Sequence, residues 1–389
     1  MVFTRFRAFY TNTLLVVASS LLALGAVELS SRAYLIFFPT LNFQSHIEFR
    51  KSRPPPYKDS DYDISSFTDE SFSPHGWLTP PNSRLVIPND FNGRYINVEN
   101  GLRKTTHQPS KFSNVIYIFG GSTVFCNEVP DWYTLPSILQ GLVNENYPNQ
   151  YKVENYGATT VVSAQELERL KTVSLQHGDV VVFYNGANDS FISIYKNNPK
   201  GWIIGENRKI LFDKGFFATS LVKLHSRYGR FSKFVDFFLS PYDYRFEPIH
   251  LKKQSQVEVL ASKMRTHYLE NILSAHHYSI GAGSKFFLFL QPTLVTSKNS
   301  SRYEYQIRHN AYLIPNGMEK AVKAGYKELR PTVRKLYDKH GVFTFDISDL
   351  FDKRPQGDEY FLDWVHVSEK GNAKIANAIF SAIKPSLQR

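Results

Sequence analysis

Cysteine is almost missing from this sequence, which has one, Cys126, among 389 residues. A single cysteine cannot form an intrachain disulfide or a multi-cysteine metal site, so both are excluded. Acidic residues are also few, because 35 Asp and Glu stand against 46 Lys and Arg and the formal net charge is +11. Such an excess favours anionic partners, which include nucleic acid, anionic lipid and acidic polysaccharide.

Several motifs that would identify a cofactor or nucleic-acid protein are missing as well. The sequence has no zinc-finger spacing, no basic region followed by heptads and no RNP aromatic pair, so only its charge favours nucleic acid, and we expect no such partner. It has no H-E-x-x-H, no Walker loop and no dinucleotide fingerprint after its first apolar strand. Neither a metal nor a nucleotide cofactor is implied.

Apolar residues are plentiful. Hydrophobic residues make up 42% of the chain and aromatic residues 15%, which is enough for a packed core. The length allows one α/β domain with insertions and appendages.

The N-terminus resembles a membrane anchor. Arg5 and Arg7 precede an apolar run at 13–27, and a second apolar stretch at 34–38 follows Glu28 and Arg32. The first run alone is short for a full span, but extended to position 30 or beyond it reaches the usual length, so we place the anchor at 13–38. The positive-inside rule then predicts a cytoplasmic N-terminus at 1–12 and a single signal-anchor helix. A cleaved signal peptide is the alternative, since small residues lie near position 25. In both cases we expect the rest of the chain outside the cytoplasm, in the periplasm or at the cell surface.

The rest of the chain divides into an extension and a main domain. Residues 39–110 are expected to be a linker and N-terminal extension, and the proline-rich stretch Arg53–Tyr62 has the composition of a spacer. The main domain is expected at 111–389.

A basic, aromatic insertion is predicted at 190–254. Thirteen Lys or Arg and six Asp or Glu lie between 199 and 265, an excess of seven. Four phenylalanines at helical spacing form a stripe there: Phe231, Phe234, Phe237 and Phe238. This amphipathic helix could cap the active site, lie on a membrane, or pack on the protein's own core.

Apolar runs alternate with amphipathic stretches along the main domain. The runs are NVIYIF, YKVENYG, DVVVFY, KFFLFL and GVFTFDI. Helices are expected at 135–144, 311–339 and from Glu369 onwards. Runs such as VIYIF and VVVFY lack period-two alternation, as expected for parallel strands that are covered on both faces. The pattern predicts a three-layer α/β/α sandwich with a parallel, flavodoxin-like doubly wound sheet.

Three strand ends carry candidate functional residues, because ligands of such sheets bind beyond the carboxyl ends of the strands. The first strand ends in Gly120-Gly121-Ser122, and Ser122 is either a nucleophile at a helix N-terminus or an N-cap. Gly157 and Asn188 follow the next two strands. A glycine N–H and an asparagine amide are suitable oxyanion donors, although both residues are also common in turns.

An aspartate and a histidine lie just ahead of the C-terminal helix. Asp363 precedes His366 by three residues, which lets the carboxylate orient the imidazole toward a serine. No G-x-S-x-G elbow surrounds Ser122, so an α/β-hydrolase fold is not expected.

Together these blocks resemble the SGNH (GDSL-like) hydrolase superfamily over about residues 111 to 384. GGSTVF resembles its nucleophile block, which implies that Ser122 is the catalytic nucleophile and that its N–H is an oxyanion donor. NYGAT resembles its glycine block, which implies an oxyanion donor at Gly157. NGAND resembles the G-x-N-D block and implies a second donor at Asn188. DWVH resembles the D-x-x-H block and implies Asp363 as acid and His366 as base.

One block departs from the family pattern, since Gly121 and Thr123 replace the Asp and Leu of the literal GDSL string. The resemblance is to bacterial, membrane-anchored members with a GGST block. It implies a serine esterase or O-deacetylase that forms an acyl-enzyme on Ser122 and contacts the membrane through the N-terminal helix. The substrate would be an ester-bearing small molecule, lipid or envelope polysaccharide. An O-acyltransferase with the same triad, or a non-catalytic carbohydrate-binding or assembly protein on this fold, is the alternative.

Overall fold

A computed structural model describes most of the chain from residue 43 onwards. The described residues are 43–73, 76–78, 80, 83–195, 253–309, 313–314, 317–355 and 357–387, with helical positions scattered between 13 and 30. From residue 43 on they belong to one compact unit, Phe43–Gly205 with Glu247–Arg389, and the earlier positions belong to a separate unit.

The described residues form ten strands. They are β1 (Trp77–Leu78), β2 (Ile87–Pro88), β3 (Phe91–Asn92), β4 (Asn97–Glu99), β5 (Leu102–Arg103), β6 (Asn114–Gly120), β7 (Tyr151–Gly157), β8 (Val180–Asn185), β9 (Lys285–Leu290) and β10 (Phe343–Asp346). All five predicted strands are confirmed, as β6 to β10.

Eight strands form one sheet in the order β10-β9-β8-β6-β7-β5-β4-β3, while β1 pairs with β2. Strands β6 to β10 run parallel to one another. Strand β5 pairs antiparallel with β7, β4 with β5, and β3 with β4. The prediction of a wholly parallel sheet is therefore wrong, and the sheet is mixed. The three added strands have only two or three residues each, too few for a periodic pattern to be visible in the sequence.

Eleven α-helices lie among the described residues from position 43 onwards. They are α1 (Phe43–Lys51), α2 (Ile64–Ser71), α3 (Ser122–Phe125), α4 (Leu135–Asn146), α5 (Ser163–Leu170), α6 (Ala187–Ser190), α7 (Gln254–Gly281), α8 (Arg302–Arg308), α9 (Met318–Arg334), α10 (Leu336–His340) and α11 (Glu369–Leu387). The helices predicted from positions 135 and 369 are confirmed. The long helix predicted at 311–339 is shorter and is divided into α9 and α10.

The helices pack in two groups. In the first group, α4 contacts β7 and α11. In the second group, α7 contacts α5 and α9, and both α7 and α9 contact β9. The chain leaves β6 in one direction to reach β7 and returns past β6 to reach β8. Because parallel crossovers are right-handed, these opposite steps put α4 and α5 on opposite faces of the sheet.

The carboxyl ends of the central strands meet at one edge of the sheet. Gly120 at the end of β6 pairs with Gly157 of β7 and with Tyr184 of β8. The chain leaves β6 toward β7 on one side and leaves β8 toward β9 on the other, so a crevice opens between the carboxyl ends of β6 and β8. Ser122 and Asn188 follow β6 and β8 directly, so both lie at this crevice.

The proline-rich stretch Arg53–Tyr62 was expected to be a spacer, and this prediction is wrong. Pro55–Tyr57 form a 3₁₀ helix in which Pro56 and Tyr57 are buried. Tyr57 packs with Ile64 and Leu362, and its hydroxyl donates to the Glu128 carbonyl at 2.6 Å. Composition alone suggested a solvated linker, but these apolar rings are packed against the main domain.

Two predicted segments lie mainly outside the described residues. Among the described positions, no helix combines the length and the apolar character needed to cross a bilayer. Most of the predicted anchor at 13–38 is outside them, and so is nearly all of the insertion at 190–254, including its phenylalanine stripe. Both remain predictions.

Candidate active site

Ser122 is the first residue of α3, immediately after β6 and Gly121. Its side chain does not cap the helix, because its Oγ is bonded to the imidazole of His366. The Ser122 carbonyl accepts the Cys126 N–H. Within the part of the chain that the structure describes, the Ser122 N–H meets no acceptor, so it is available to an oxygen bound beside Oγ.

Ser122, His366 and Asp363 form a continuous hydrogen-bonded row. The Ser122 Oγ lies 2.8 Å from His366 Nε2, and His366 Nδ1 lies 2.7 Å from Asp363 Oδ2. Because a carboxylate can only accept, the neutral imidazole carries its proton on Nδ1, and Nε2 accepts from the serine hydroxyl. This is the order in which a nucleophile, a base and an orienting acid must meet.

The spacing of three residues has a direct structural effect. The second oxygen of Asp363 accepts the N–H groups of Val365 and His366 at 2.9 and 2.8 Å. The loop is held further by the bond from the Leu294 N–H to the Trp364 carbonyl at 2.9 Å. Carboxylate and imidazole are therefore fixed relative to each other by the backbone as well as by their side chains.

The two charges stabilise each other. Burial opposes the charged form of His366, but the carboxylates of Asp363 and Glu128 more than offset it and raise the pKa of His366 to about 9. Burial likewise opposes ionisation of Asp363, yet His366 and Arg50 hold the pKa of this carboxyl well below its usual range. The site therefore favours the pair of an imidazolium and a carboxylate over the pair of neutral groups.

Glu128 and Arg50 were not predicted from the sequence. Glu128 Oε1 lies 3.9 Å from His366 Nδ1 and 2.9 Å from Arg50 Nη2, and these side chains are almost fully buried. Glu128 is only six residues beyond Ser122, and an acid in the mostly apolar segment VFCNEV is the one local signal. Arg50 comes from α1, and nothing in its sequence context indicates a role.

Asn188 lies directly against Gly121. A Cβ added to Gly121 would be 2.4 Å from Asn188 Nδ2, so no side chain fits there without displacing the amide. Asn188 Nδ2 donates to the Val161 carbonyl at 2.8 Å, which occupies one of its two N–H groups. The other remains available beside the Ser122 turn, as an oxyanion donor requires.

Asp189 supports the position of Asn188. Its buried carboxylate accepts the hydroxyl and the N–H of Ser163 at 2.6 and 3.1 Å, which ties α6 to the start of α5. Burial raises the pKa of Asp189 to about 6, although the Ser163 bonds act in the opposite direction. Asn188 is thus held by the bond from its own amide to the Val161 carbonyl and by the bonds that the next residue, Asp189, accepts from Ser163.

Gly157 has a structural role, and its N–H is already engaged. An added Cβ would lie 2.2 Å from Phe125 N, so only glycine lets α3 pass this close. The Gly157 N–H donates to Asn155 Oδ1 at 2.9 Å, while Asn155 Nδ2 donates to the Val124 carbonyl at 2.9 Å. Its predicted role as an oxyanion donor would need this bond to open, and it stays a prediction.

Among the described residues, no group of three or more His, Cys, Asp or Glu side chains is arranged to hold a metal ion. Cys126 is buried, and burial raises the pKa of its thiol to about 12.

Comparison with known proteins gives structural neighbours only. No protein-family model matches the chain, and no curated protein matches it. A lipolytic protein of the G-D-S-L family from Veillonella parvula is 12% identical with a TM-score of 0.39, and covers 70% of this chain and 99% of its own. A catalytic mutant of an acetylxylan esterase from Geobacillus stearothermophilus is 12% identical with a TM-score of 0.39, over 71% and 96%. A putative lipolytic protein of the G-D-S-L family from Desulfitobacterium hafniense is 10% identical with a TM-score of 0.36, over 69% and 99%.

Proposed function

We propose that this protein is a serine esterase that forms an acyl-enzyme on Ser122. The proposal is supported above all by the row of hydrogen bonds from Ser122 through His366 to Asp363, with distances of 2.8 and 2.7 Å. Ser122 and His366 are 244 positions apart in the sequence, and they meet there with the donor and acceptor order that nucleophilic catalysis needs. An N-cap or an ordinary surface histidine would not need a buried carboxylate behind the imidazole.

The first half of the reaction forms the acyl-enzyme. Ser122 Oγ attacks the ester carbonyl carbon while its proton passes to His366 Nε2. The C=O electron pair moves to oxygen, which becomes the oxyanion. When the tetrahedral intermediate collapses, the bond to the alkoxy group breaks, and His366 returns its proton to the leaving alcohol.

The second half repeats these steps with water. Water attacks the acyl carbon and gives its proton to His366, and the carboxylic acid departs as Ser122 recovers the proton. Throughout, Asp363 accepts from Nδ1 and stabilises the imidazolium without taking its proton. The Ser122 N–H and the second N–H of Asn188 are the donors available for the oxyanion.

Labelling of the full chain with a fluorophosphonate tests this proposal. The serine oxygen displaces fluoride from phosphorus, and mass spectrometry of the digested protein should locate the adduct on Ser122. Ser122→Ala should abolish both labelling and hydrolysis of an aryl acetate, while Ser348→Ala, a change at another buried serine, should alter neither. Because nucleophile and base act as one unit, His366→Ala should cost as much as Ser122→Ala, and the double variant no more. An adduct on any other residue would contradict the nucleophile assignment.

We further propose that the enzyme is anchored by residues 13–38 and acts outside the cytoplasm on an acylated envelope polysaccharide or a lipid. The apolar segment behind Arg5 and Arg7 supports the anchor, and the basic excess between 199 and 265 supports an anionic surface or substrate. A chain that begins at Phe43 should leave the membrane fraction yet keep its esterase activity. If the shortened chain stays with the membranes, the anchor lies elsewhere.

A further inference from the structure

A second carboxylate faces the imidazole from the side of Asp363. Asp363 Oδ2 lies 2.7 Å from His366 Nδ1, and Glu128 Oε1 lies 3.9 Å from the same nitrogen. The Glu128 side chain is 6% exposed, so water does not screen its charge effectively. A buried carboxylate without a partner is costly, and Arg50 at 2.9 Å supplies that partner.

The loop that carries Glu128 is held rigidly. Arg103 is fully buried and donates to the carbonyls of Phe125, Cys126 and Val129, on either side of Glu128. Tyr57 donates to the carbonyl of Glu128 itself. With its backbone and side chain both fixed, Glu128 cannot turn away from His366 without breaking several buried hydrogen bonds.

We infer that Glu128 is a positioning residue which, together with Arg50, sets the charge balance around His366. This inference rests on the proposed function and deepens it. The esterase would then use two carboxylates behind its base, one hydrogen-bonded to Nδ1 and one acting through space, with an arginine from α1 as counterion.

The charges around the imidazole support this assignment. Asp363 faces His366 from its own loop, Glu128 from the loop after α3, and Arg50 from α1. The phenols of Tyr57 and Tyr303 also lie near these charges. Burial raises the pKa of both, so they stay neutral over the pH range in which His366 titrates. Two carboxylates and one guanidinium leave one negative charge, which an imidazolium neutralises.

Removing the charge of Glu128 reverses this balance. Asp363 and Arg50 would then neutralise each other, and protonation of His366 would add an uncompensated positive charge to a buried site. Glu128→Gln should therefore lower the pKa of His366, by about one unit for a charge at this distance that is partly offset by Arg50. The glutamine oxygen can still accept from the Arg50 guanidinium, so the ion pair is replaced by a hydrogen bond between a cation and a neutral amide.

Two measurements on the full chain test the inference. Histidines labelled with ¹³C are titrated by NMR, with the His366 signal assigned from its loss in His366→Gln, and kcat/KM for an aryl acetate is measured against pH. Both midpoints should move down together in Glu128→Gln. Glu128→Asp keeps the charge on a shorter side chain, so its midpoints should lie between those of Glu128→Gln and wild type. A purely structural role of Glu128 would not produce this order.

Glu304→Gln is the matched control, because the fully buried carboxylate of Glu304 pairs with Arg354 and accepts the Ser301 N–H instead of facing His366. It should leave both midpoints unchanged. Equal midpoints in wild type, Glu128→Gln and Glu128→Asp would overturn the inference. The NMR titration needs no turnover, so a protein whose His366 midpoint depends on Glu128 but which hydrolyses no ester would contradict the proposed function alone.

Discussion

Gly121→Ala should displace the Asn188 amide, the proposed oxyanion donor, without replacing any catalytic side chain. The backbone of Gly121 has φ −77°, which alanine adopts freely, so the only conflict is the 2.4 Å approach of the new Cβ to Asn188 Nδ2. Ordinary contact begins at about 3.4 Å, and the amide must therefore retreat by about 1 Å. That retreat also strains or breaks its 2.8 Å bond to the Val161 carbonyl.

The two consequences differ greatly in size. Loss of one oxyanion donor costs about 10²- to 10³-fold in kcat, and we expect Gly121→Ala to fall in that range. The lost hydrogen bond costs about 0.5–1.5 kcal/mol of folding free energy, while replacing glycine by alanine returns about 0.4–1 kcal/mol through the unfolded chain. The melting temperature should therefore change by only a few degrees.

The assay is a double-mutant cycle with kcat on an aryl acetate and thermal unfolding as readouts. Asn188→Ala should match Gly121→Ala in kcat, and the double variant should be no worse than either, because both remove the same donor. Gly141→Ala is the control, since a Cβ at this α4 glycine meets nothing within 4 Å, and it should leave kcat unchanged. The assigned contact between Gly121 and Asn188 would be refuted if the kcat loss of the double variant equalled the product of the two single losses. A wild-type kcat in Gly121→Ala would refute it as well.

Two further predictions concern the base and its acid. Only neutral His366 can accept the serine proton. With a pKa of about 9, kcat/KM at pH 7 should be about 1% of its alkaline plateau and should rise about tenfold per pH unit from pH 7 to pH 9. A pH profile already flat at pH 7 would contradict this. Asp363→Asn should reduce kcat by about 10³- to 10⁴-fold and move the midpoint of that profile to lower pH, because the amide cannot stabilise the imidazolium or fix the same tautomer. If kcat is hardly affected in a folded Asp363→Asn variant, Asp363 does not orient His366.

The residues that the sequence predicted best are those whose geometry depends on a few neighbouring positions. Asp363 and His366 meet because a spacing of three lets one carboxylate oxygen accept two backbone N–H groups and leaves the other for Nδ1. Ser122 is brought to His366 by a buried strand that ends in glycine, and both features are visible in NVIYIFGGS. The five parallel strands were predictable for the same reason, since each is an apolar run.

What the sequence could not indicate depends on contacts between distant parts of the chain. Arg50 and Glu128 are 78 positions apart, and no local pattern relates them. Gly157 was predicted as a donor from its position at a strand end, but the Asn155 carboxamide two residues earlier occupies its N–H. The stretch 53–62 has the composition of a linker, and the burial of Pro56 and Tyr57 within it becomes apparent only once the pocket that receives Tyr57 is known.

The electrostatics of the site should separate the pH of greatest stability from the pH of greatest activity. The pKa of His366 is raised in the folded protein, so its contribution to stability is complete below about 6.5, the unfolded value, and is lost as pH rises through about 9. The pKa of Asp363 is lowered, so its contribution is present above about 3.9 and is lost as the pH falls further. The pair therefore stabilises the fold most between about pH 4 and 6.5. Activity needs the neutral imidazole, whose formation removes that stabilisation. The melting temperature of wild type should fall between pH 7 and 10, while that of His366→Gln, which has no such titration, should fall less; parallel curves would show that the imidazolium does not stabilise the fold.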